Sequence, residues 1–402
     1  MTSPAGEPPA SLSPRRVTLA ATGLLLAATL PIYLIGAVAV NVREDFAFTS
    51  EELGLAVALA FGLAAAITQV AGRVADRVGV VRSIRFSVGL LVASMVAIAT
   101  VVQSAAALIA CMALVGLASG IGSPGYSALI AAGVPERRQG TAFGLLTSAP
   151  QIAAFASGLA LPLIADPFGW RVVFAVAAVV GMLAVATLSG AGALDSHARV
   201  ASRGVVSLRR LEPVHVMALA AALASAGVIG MRSFLVVFAV AVGFSSGEAG
   251  LLLAAAGLVA LTTRIGLGIL GDRRPGDAVR RAAILMLVAA LGLVLMAAGG
   301  DLAIVVGAIL AGGIGWGWSA PMSLAVIQRY RDAPAAAMGT QLTGFYAGAV
   351  IGPLLVGVLV GAEEFKFAWL LCAALALLAV TAALASRGMA RPATGTGALG
   401  SE

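Results

Sequence analysis

The sequence predicts an all-α membrane protein in which twelve transmembrane helices form two pseudo-symmetric six-helix bundles. Three observations point there. Of 402 residues, 60% are hydrophobic and 11% are charged, whereas a soluble domain carries about a quarter charged residues. The apolar residues gather into runs near the ~20 residues that cross a bilayer. The second half of the chain also repeats the first at a shift of 196 residues. Mean hydropathy of +1.04 agrees. Collagen-like, disordered and disulfide-stapled classes are excluded together.

The first 16 residues are Pro/Ser-rich and end in Arg15-Arg16, which we read as a short tail. The run 17–40 is too long for a signal-peptide core and lacks a small-residue cleavage site, so it is taken as the first helix. Five further spans follow at 51–72, 83–102, 105–133, 140–164 and 171–190, closing a first half over 17–190. A polar stretch, 191–212, is the only long interruption and is read as a linker. The second half, 213–385, holds spans at 213–242, 247–271, 280–298, 301–328, 335–360 and 366–385, before a tail over 386–402. Cys111 and Cys372 both fall in apolar runs, where they read as small buried hydrophobes.

A pI near 10.4 would suggest a nucleic-acid partner in a soluble chain. Here the charges resolve into topology instead. With the N-terminus inside, twenty basic residues fall on the cytoplasmic side, whereas only Arg43, Arg171 and Lys366 fall outside, beside nine acids. Both termini are therefore expected in the cytoplasm, with the chain in the cell membrane. No nucleic acid is expected.

The repeat is sharpest between 48–77 and 244–273, where eleven of thirty positions are identical. Matches include Phe48/Phe244, Glu52/Glu248, Gly54/Gly250, Gly72/Gly268, Asp76/Asp272 and Arg77/Arg273. Parallel six-helix halves are a recognised transporter pattern. Gly72-Arg-Val-Ala-Asp76-Arg77-Val-Gly79, after the second helix, resembles the loop signature of the major facilitator superfamily, and Gly268-Ile-Leu-Gly-Asp272-Arg273 is its weaker echo. A glycine lets two helices approach closely, a carboxylate four residues on can meet a helix N-terminus, and the arginine can pair with nearby acids. These six residues are expected to act in gating. The resemblance covers essentially the whole chain and implies alternating access by rocking one half against the other. Gly169-Trp170-Arg171 at the outer end of the sixth helix is a phrase common in that superfamily, and Gly348, Gly352, Pro353 and Gly357 give the eleventh helix a pliable or closely packing face. Three features depart from the pattern, the first from the family's usual loop and the other two from its drug/proton antiporters, and they count against proton-driven drug efflux. Val80-Val81-Arg82 replaces consecutive basic residues, Gly116 stands where an intramembrane arginine is expected, and Ala156-Ser157-Gly158 replaces a Gly-Pro pair.

Only two ionisable residues lie clearly at membrane depth, Arg264 and Arg232. Such residues are costly and merit a functional hypothesis. Arg264 lies eight residues before Asp272, about 12 Å along the helix, where its guanidinium could hold a carboxylate bidentately. The pattern Arg264-xxx-Gly268-xxx-Asp272 also resembles the eighth helix of monocarboxylate, oxalate/formate and nitrate porters, in which this arginine contacts the substrate. Ile265 replaces the usual following proline, and Thr68 occupies the repeat-related place. A structural arginine bound to a backbone carbonyl is the competing account. Arg232 lies towards the outer face, either lining the cavity or snorkelling. Tyr33, Tyr126, Gln151, Trp316, Trp318, Gln341 and Tyr346 are polar or aromatic candidates, and Tyr33, Gln341 and Tyr346 join the two arginines as the expected substrate-binding set.

The expected function is secondary active or facilitative transport of a small anion, a carboxylate by preference, with proton-driven efflux of amphipathic compounds as the alternative. Glu51, Glu52, Glu248 and Asp301 stand only at the outer ends of their spans and no Asp or Glu falls deeper within any of the twelve, so no built-in proton relay is evident. With no nucleotide loop, metal cluster or catalytic triad in the sequence, the chain is expected to be no enzyme and to need no metal or cofactor. Its expected partners are the solute and the lipid bilayer, and it is expected to work as a monomer.

Overall fold

The computed structural model describes residues 13–189, 213–273, 277–330, 334–362 and 364–389. The linker expected at 191–212 and most of both tails lie outside these residues. Among the described residues every regular element is a helix. Eleven are long and apolar enough to cross a membrane, and the shorter apolar Trp170–Ala186 makes the twelfth.

The first half comprises α1 (Pro14–Ala37), α2 (Ser50–Val78), α3 (Val80–Thr100), α4 (Ala105–Gly133), α5 and α6 (Trp170–Ala186). The composite α5 runs through Glu136–Leu146 and Ala149–Ala160, a π-helical turn Leu161–Ala165 and a last turn Asp166–Phe168. A short helix, Ala39–Phe46, extends α1. In the second half come α7 (Pro213–Ala241), α8 (Ser246–Arg273), α9 (Ala278–Ala298), α10, α11 (Pro334–Gly361) and α12 (Phe365–Gly388). Here α10 is the irregular member, with Asp301–Ala308 followed by a π-helical stretch Ile309–Ile314, a 3₁₀ turn Gly315–Trp318 and α-helix Ser319–Arg329.

Local chemistry explains the repeated letters. Thr49 N–H donates to Glu52 Oε2 at 2.8 Å while Glu52 N–H donates to Thr49 Oγ1 at 3.2 Å, which caps α2 reciprocally. One repeat later, Ser245 and Glu248 make the same pair at the start of α8, at 2.9 and 3.3 Å. The Glu52/Glu248 match is thus a duplicated helix start. Gly79 alone separates α2 from α3; its φ of +102° turns the chain through a corner that disfavours an L side chain.

The two halves pack most closely along three helix pairs. Gly54 of α2 meets the carbonyl of Pro353 and Gly357 Cα in α11, Gly158 of α5 meets Gly250 and Ala254 of α8, and Gly36 of α1 meets the Ser233 carbonyl of α7. Backbone approaches backbone at each place because neither side carries a bulky residue. All three contacts lie between the middle of the bundle and the end opposite the chain termini. Towards the termini the halves part. Gly140, Gly144, Gly266 and Gly268 have no neighbour within 4 Å of an added Cβ. Five of the six residues 265–270 are exposed, and the sixth, Leu267, packs within the second half against α10. The core divides accordingly. One apolar cluster spans both halves, while a smaller one, including Val214, Met217, Met286 and Met322, is confined to the second half near the termini.

Candidate functional site

The closed roof of the bundle centres on Arg232. It sits on α7, most of whose membrane window is buried, and is itself only 4% exposed, so it does not snorkel to the surface. Its Nη1 donates to the Gly312 carbonyl at 3.1 Å. Gly312 lies in the π-helical stretch of α10, where the regular i→i+4 ladder is interrupted. The guanidinium carbon also lies 5.3 Å from the Tyr33 ring and 5.8 Å from the Trp316 ring, within cation–π range of both. Arg232 Nε and Nη2 have no partner among the described residues.

Trp316 links this roof to the other half. With the Gln151 amide oriented to satisfy its surroundings, Gln151 Oε1 accepts from Trp316 Nε1 at 3.1 Å, and the amide nitrogen donates to the Thr147 and Ser148 carbonyls. Those carbonyls lie where α5 passes from Glu136–Leu146 to Ala149–Ala160. Trp316, Trp318, Phe345 and Tyr346 form a chain of ring contacts, with centroid separations between 5.7 and 6.5 Å. Their edge-on and tilted packing makes one aromatic wall from α10 and α11.

Below it, towards the parted end, stands Arg264. Its Nη1 donates to Ser319 Oγ at 3.1 Å, and the side chain stays partly exposed. Four residues on, Ser323 Oγ donates to Oε1 of the buried Gln341 at 3.4 Å. Among the described residues neither Arg264 nor Arg232 pairs with a carboxylate. The helix α10 is thus the organising element. In descending order it offers the Gly312 carbonyl, the Trp316 indole, and the Ser319 and Ser323 hydroxyls to Arg232, Gln151, Arg264 and Gln341.

The structure therefore brings Tyr33 to Arg232, Gln341 to Ser323 one turn beyond the Ser319 that holds Arg264, and Tyr346 to Phe345 beside the Trp316 and Trp318 indoles. Gln151, Trp316 and Trp318 join them. Tyr126 does not: it is buried against Ser87 of α3 within the first half. Sequence reasoning missed Gly312, Ser319, Ser323 and Phe345. The glycine-rich tract holding Gly307, Gly312, Gly313, Gly315 and Gly317 was the available signal, because glycines at that density weaken a helix.

At the parted end, Gly72 is buried on α2, while Asp76 and Arg77 are exposed. Gly268 stands free of neighbours. The side chains of Asp272 and Arg273 lie outside the described residues. Gly116, at the place of the antiporters' intramembrane arginine, packs against Ala60: an added Cβ would run into that carbonyl oxygen, so no longer side chain fits.

Residues 17–340 match the family model described as Major Facilitator Superfamily. No curated protein matches the sequence. Among solved structures, a crystal structure of the nucleoside transporter NupG, in mutant form, superposes with a TM-score of 0.72 at 14% identity. The match covers 93% of this chain and 99% of that one. At that identity the likeness concerns the fold.

Proposed function

Because the chain belongs to the Major Facilitator Superfamily, and is thus an integral membrane transporter, we infer that it moves a small anion, a carboxylate by preference, by alternating access. Arg264 carries this reading. It is a partly exposed guanidinium on the wall where the halves part, held by one neutral hydroxyl and by no carboxylate among the described residues. A cation so placed has unused donors for an arriving oxyanion and no internal counter-ion to displace. Ser319 steadies the guanidinium, Gln341 offers hydrogen bonding lower on the wall, and Trp316 with Phe345 and Tyr346 covers the apolar part of the solute. Arg232 and Tyr33 form the roof above.

We place the protein in the cell membrane with both termini in the cytoplasm, on the strength of the twenty-to-three distribution of basic residues. In that orientation the halves are closed outside and parted inside, so Arg264 faces a cytoplasmic opening. Gly72, Asp76, Arg77, Gly268, Asp272 and Arg273 lie at the end that must close when the outer contacts open, which suits a gating role.

Counterflow in proteoliposomes against a panel of carboxylates, inorganic anions and nucleosides tests the reading. Losing a charge-assisted hydrogen-bond pair costs about 1.5–3 kcal/mol, so Arg264→Ala is expected to lower carboxylate counterflow by roughly 10- to 100-fold. Arg264→Lys, which keeps charge but loses the fork, should retain part of it. Wild-type rates in Arg264→Ala would overturn the anion site. The aromatic wall favours one second reading, proton-driven export of amphipathic compounds. Dye extrusion that collapses with the proton gradient yet survives Arg264→Ala would select it.

A further inference from the structure

We propose that the closed space beside Arg232 is a binding site for a single halide-sized monovalent anion, chloride under ordinary conditions, distinct from the solute position at Arg264. The space measures about 10 Å³ and is lined by Ile32, Tyr33, Phe61, Ile229, Arg232 and Ser233. That volume admits one water-sized particle. A carboxylate, with three heavy atoms at its head alone, is too large.

Arg232 brings to this wall a buried charge that no carboxylate among the described residues balances. Arg232 is 4% exposed, and only its Nη1 is matched, by the Gly312 carbonyl; Nε and Nη2 are both without partners among the described residues. Ser233 spends its hydroxyl proton on the Ile229 carbonyl at 2.9 Å, and Tyr33 turns its ring face to the guanidinium. A buried charge of this kind is strongly disfavoured unless it is both hydrogen-bonded and compensated. Water in the space would leave the charge uncompensated, whereas a single-atom anion there would compensate it. The lining also comes from both halves: Ile32, Tyr33 and Phe61 belong to α1 and α2, the other three to α7. An anion held there touches both halves only while they are together at this end, so it favours the conformation seen here.

The test uses the purified full chain in detergent, in sodium gluconate at fixed ionic strength, with gluconate exchanged stepwise for chloride or bromide. Each halide is expected to raise Tm by a few degrees along a saturating curve, as binding to the folded state alone requires, and Arg232→Gln is expected to abolish the rise. Equal Tm in chloride and gluconate overturns the site, as does a rise that persists in Arg232→Gln. Should that variant fail to fold, equilibrium dialysis of the wild type with radiolabelled chloride decides. One saturable chloride per chain supports the site, and its absence leaves water as the occupant and overturns it. The solute assignment at Arg264 is untouched by either result, because it is read by counterflow.

Discussion

Asp45 accepts a hydrogen bond from Trp170 Nε1 at 2.8 Å and pairs with the Arg171 guanidinium, which also donates to the Val102 carbonyl at 3.0 Å. The phrase Gly169-Trp170-Arg171 is therefore a clasp: Gly169, at φ +91°, turns the chain so that two consecutive side chains reach one carboxylate on the extension of α1. The Trp170 hydrogen bond, followed by the Arg171 hydrogen bond and charge, holds the Asp45 carboxyl below its ordinary range. A depressed carboxyl stabilises the fold above its unfolded value and loses that contribution as pH falls through the folded value. Asp45→Asn is thus expected to lower Tm at pH 7, and the gap from wild type should close below about pH 4. Because both partners remain more than a third exposed, the effect at pH 7 is on the order of 1 kcal/mol or less. Thermal denaturation across that pH range checks it; a gap that stays constant to the acid limit removes the clasp. Residues such as Trp170, Arg171, Arg232 and Arg264 were legible in the sequence because charge and indole stand out in an apolar chain. Their partners were not. The Gly312 carbonyl, which receives Arg232, has no letter of its own, and Ser319 looks like any helix serine until α10 turns it towards Arg264.

Helix α11 shows what an element adds to its residues. Gly344, Gly348 and Gly352 recur every four positions and face α7, where Cβ atoms would lie 2.0, 1.9 and 2.1 Å from the carbonyl oxygens of Ala218, Ala222 and Ala226. On another face, Gly357 and Pro353 meet α2 of the other half. The glycine pattern was legible, but its two faces were not, since a stripe of small residues names no partner. Gly348→Ala must push two backbones apart, because the obstructing atom is a carbonyl rather than a side-chain tip. Overpacking of that kind costs about 1–3 kcal/mol, and Gly348→Ala is expected to lower Tm by several degrees. Gly266→Ala, with nothing within 4 Å of the new Cβ, is the contrasting case. There the helix gains up to about 1 kcal/mol from the better helix former, and Tm should hold or rise. Equal losses in both variants would show that glycine flexibility, not close approach, is what α11 needs. The irregular stretches Leu161–Ala165 and Ile309–Ile314 escaped the sequence for a related reason. Hydropathy is unchanged by a shift from i→i+4 to i→i+5 bonding, so a π-helical turn leaves no apolar signature.

At the scale of the whole molecule, the repeat that revealed the fold also places its contacts. Gly54 and Gly250 are equivalent under the 196-residue shift, and each meets a helix of the opposite half, α11 and α5 respectively. The sequence made that equivalence visible without showing which end of the bundle is closed, because both ends are built from the same small residues and both conformations use the same letters. Packing decides it here. An added Cβ on Gly54 would lie 2.4 Å from the Pro353 carbonyl oxygen, and one on Gly250 would lie 2.7 Å from that of Gly158. A leucine at either place should wedge the closed end open while leaving each half able to fold around its own core. Rocking would then bring the other end together and shield the α10 wall. A reporter cysteine at Ser323, beside Gln341 on that wall, reads the change with a hydrophilic thiol reagent. The native Cys111 and Cys372 are buried and contribute little background. A bias of about 1.4 kcal/mol is a tenfold change in population, so Gly54→Leu and Gly250→Leu are each expected to slow labelling of Ser323→Cys by on the order of tenfold. The repeat demands that the two variants behave alike. Slowing by one and not the other would mean that only one of the α2–α11 and α5–α8 contacts holds the halves together. Labelling at the parent rate in both would mean that neither does.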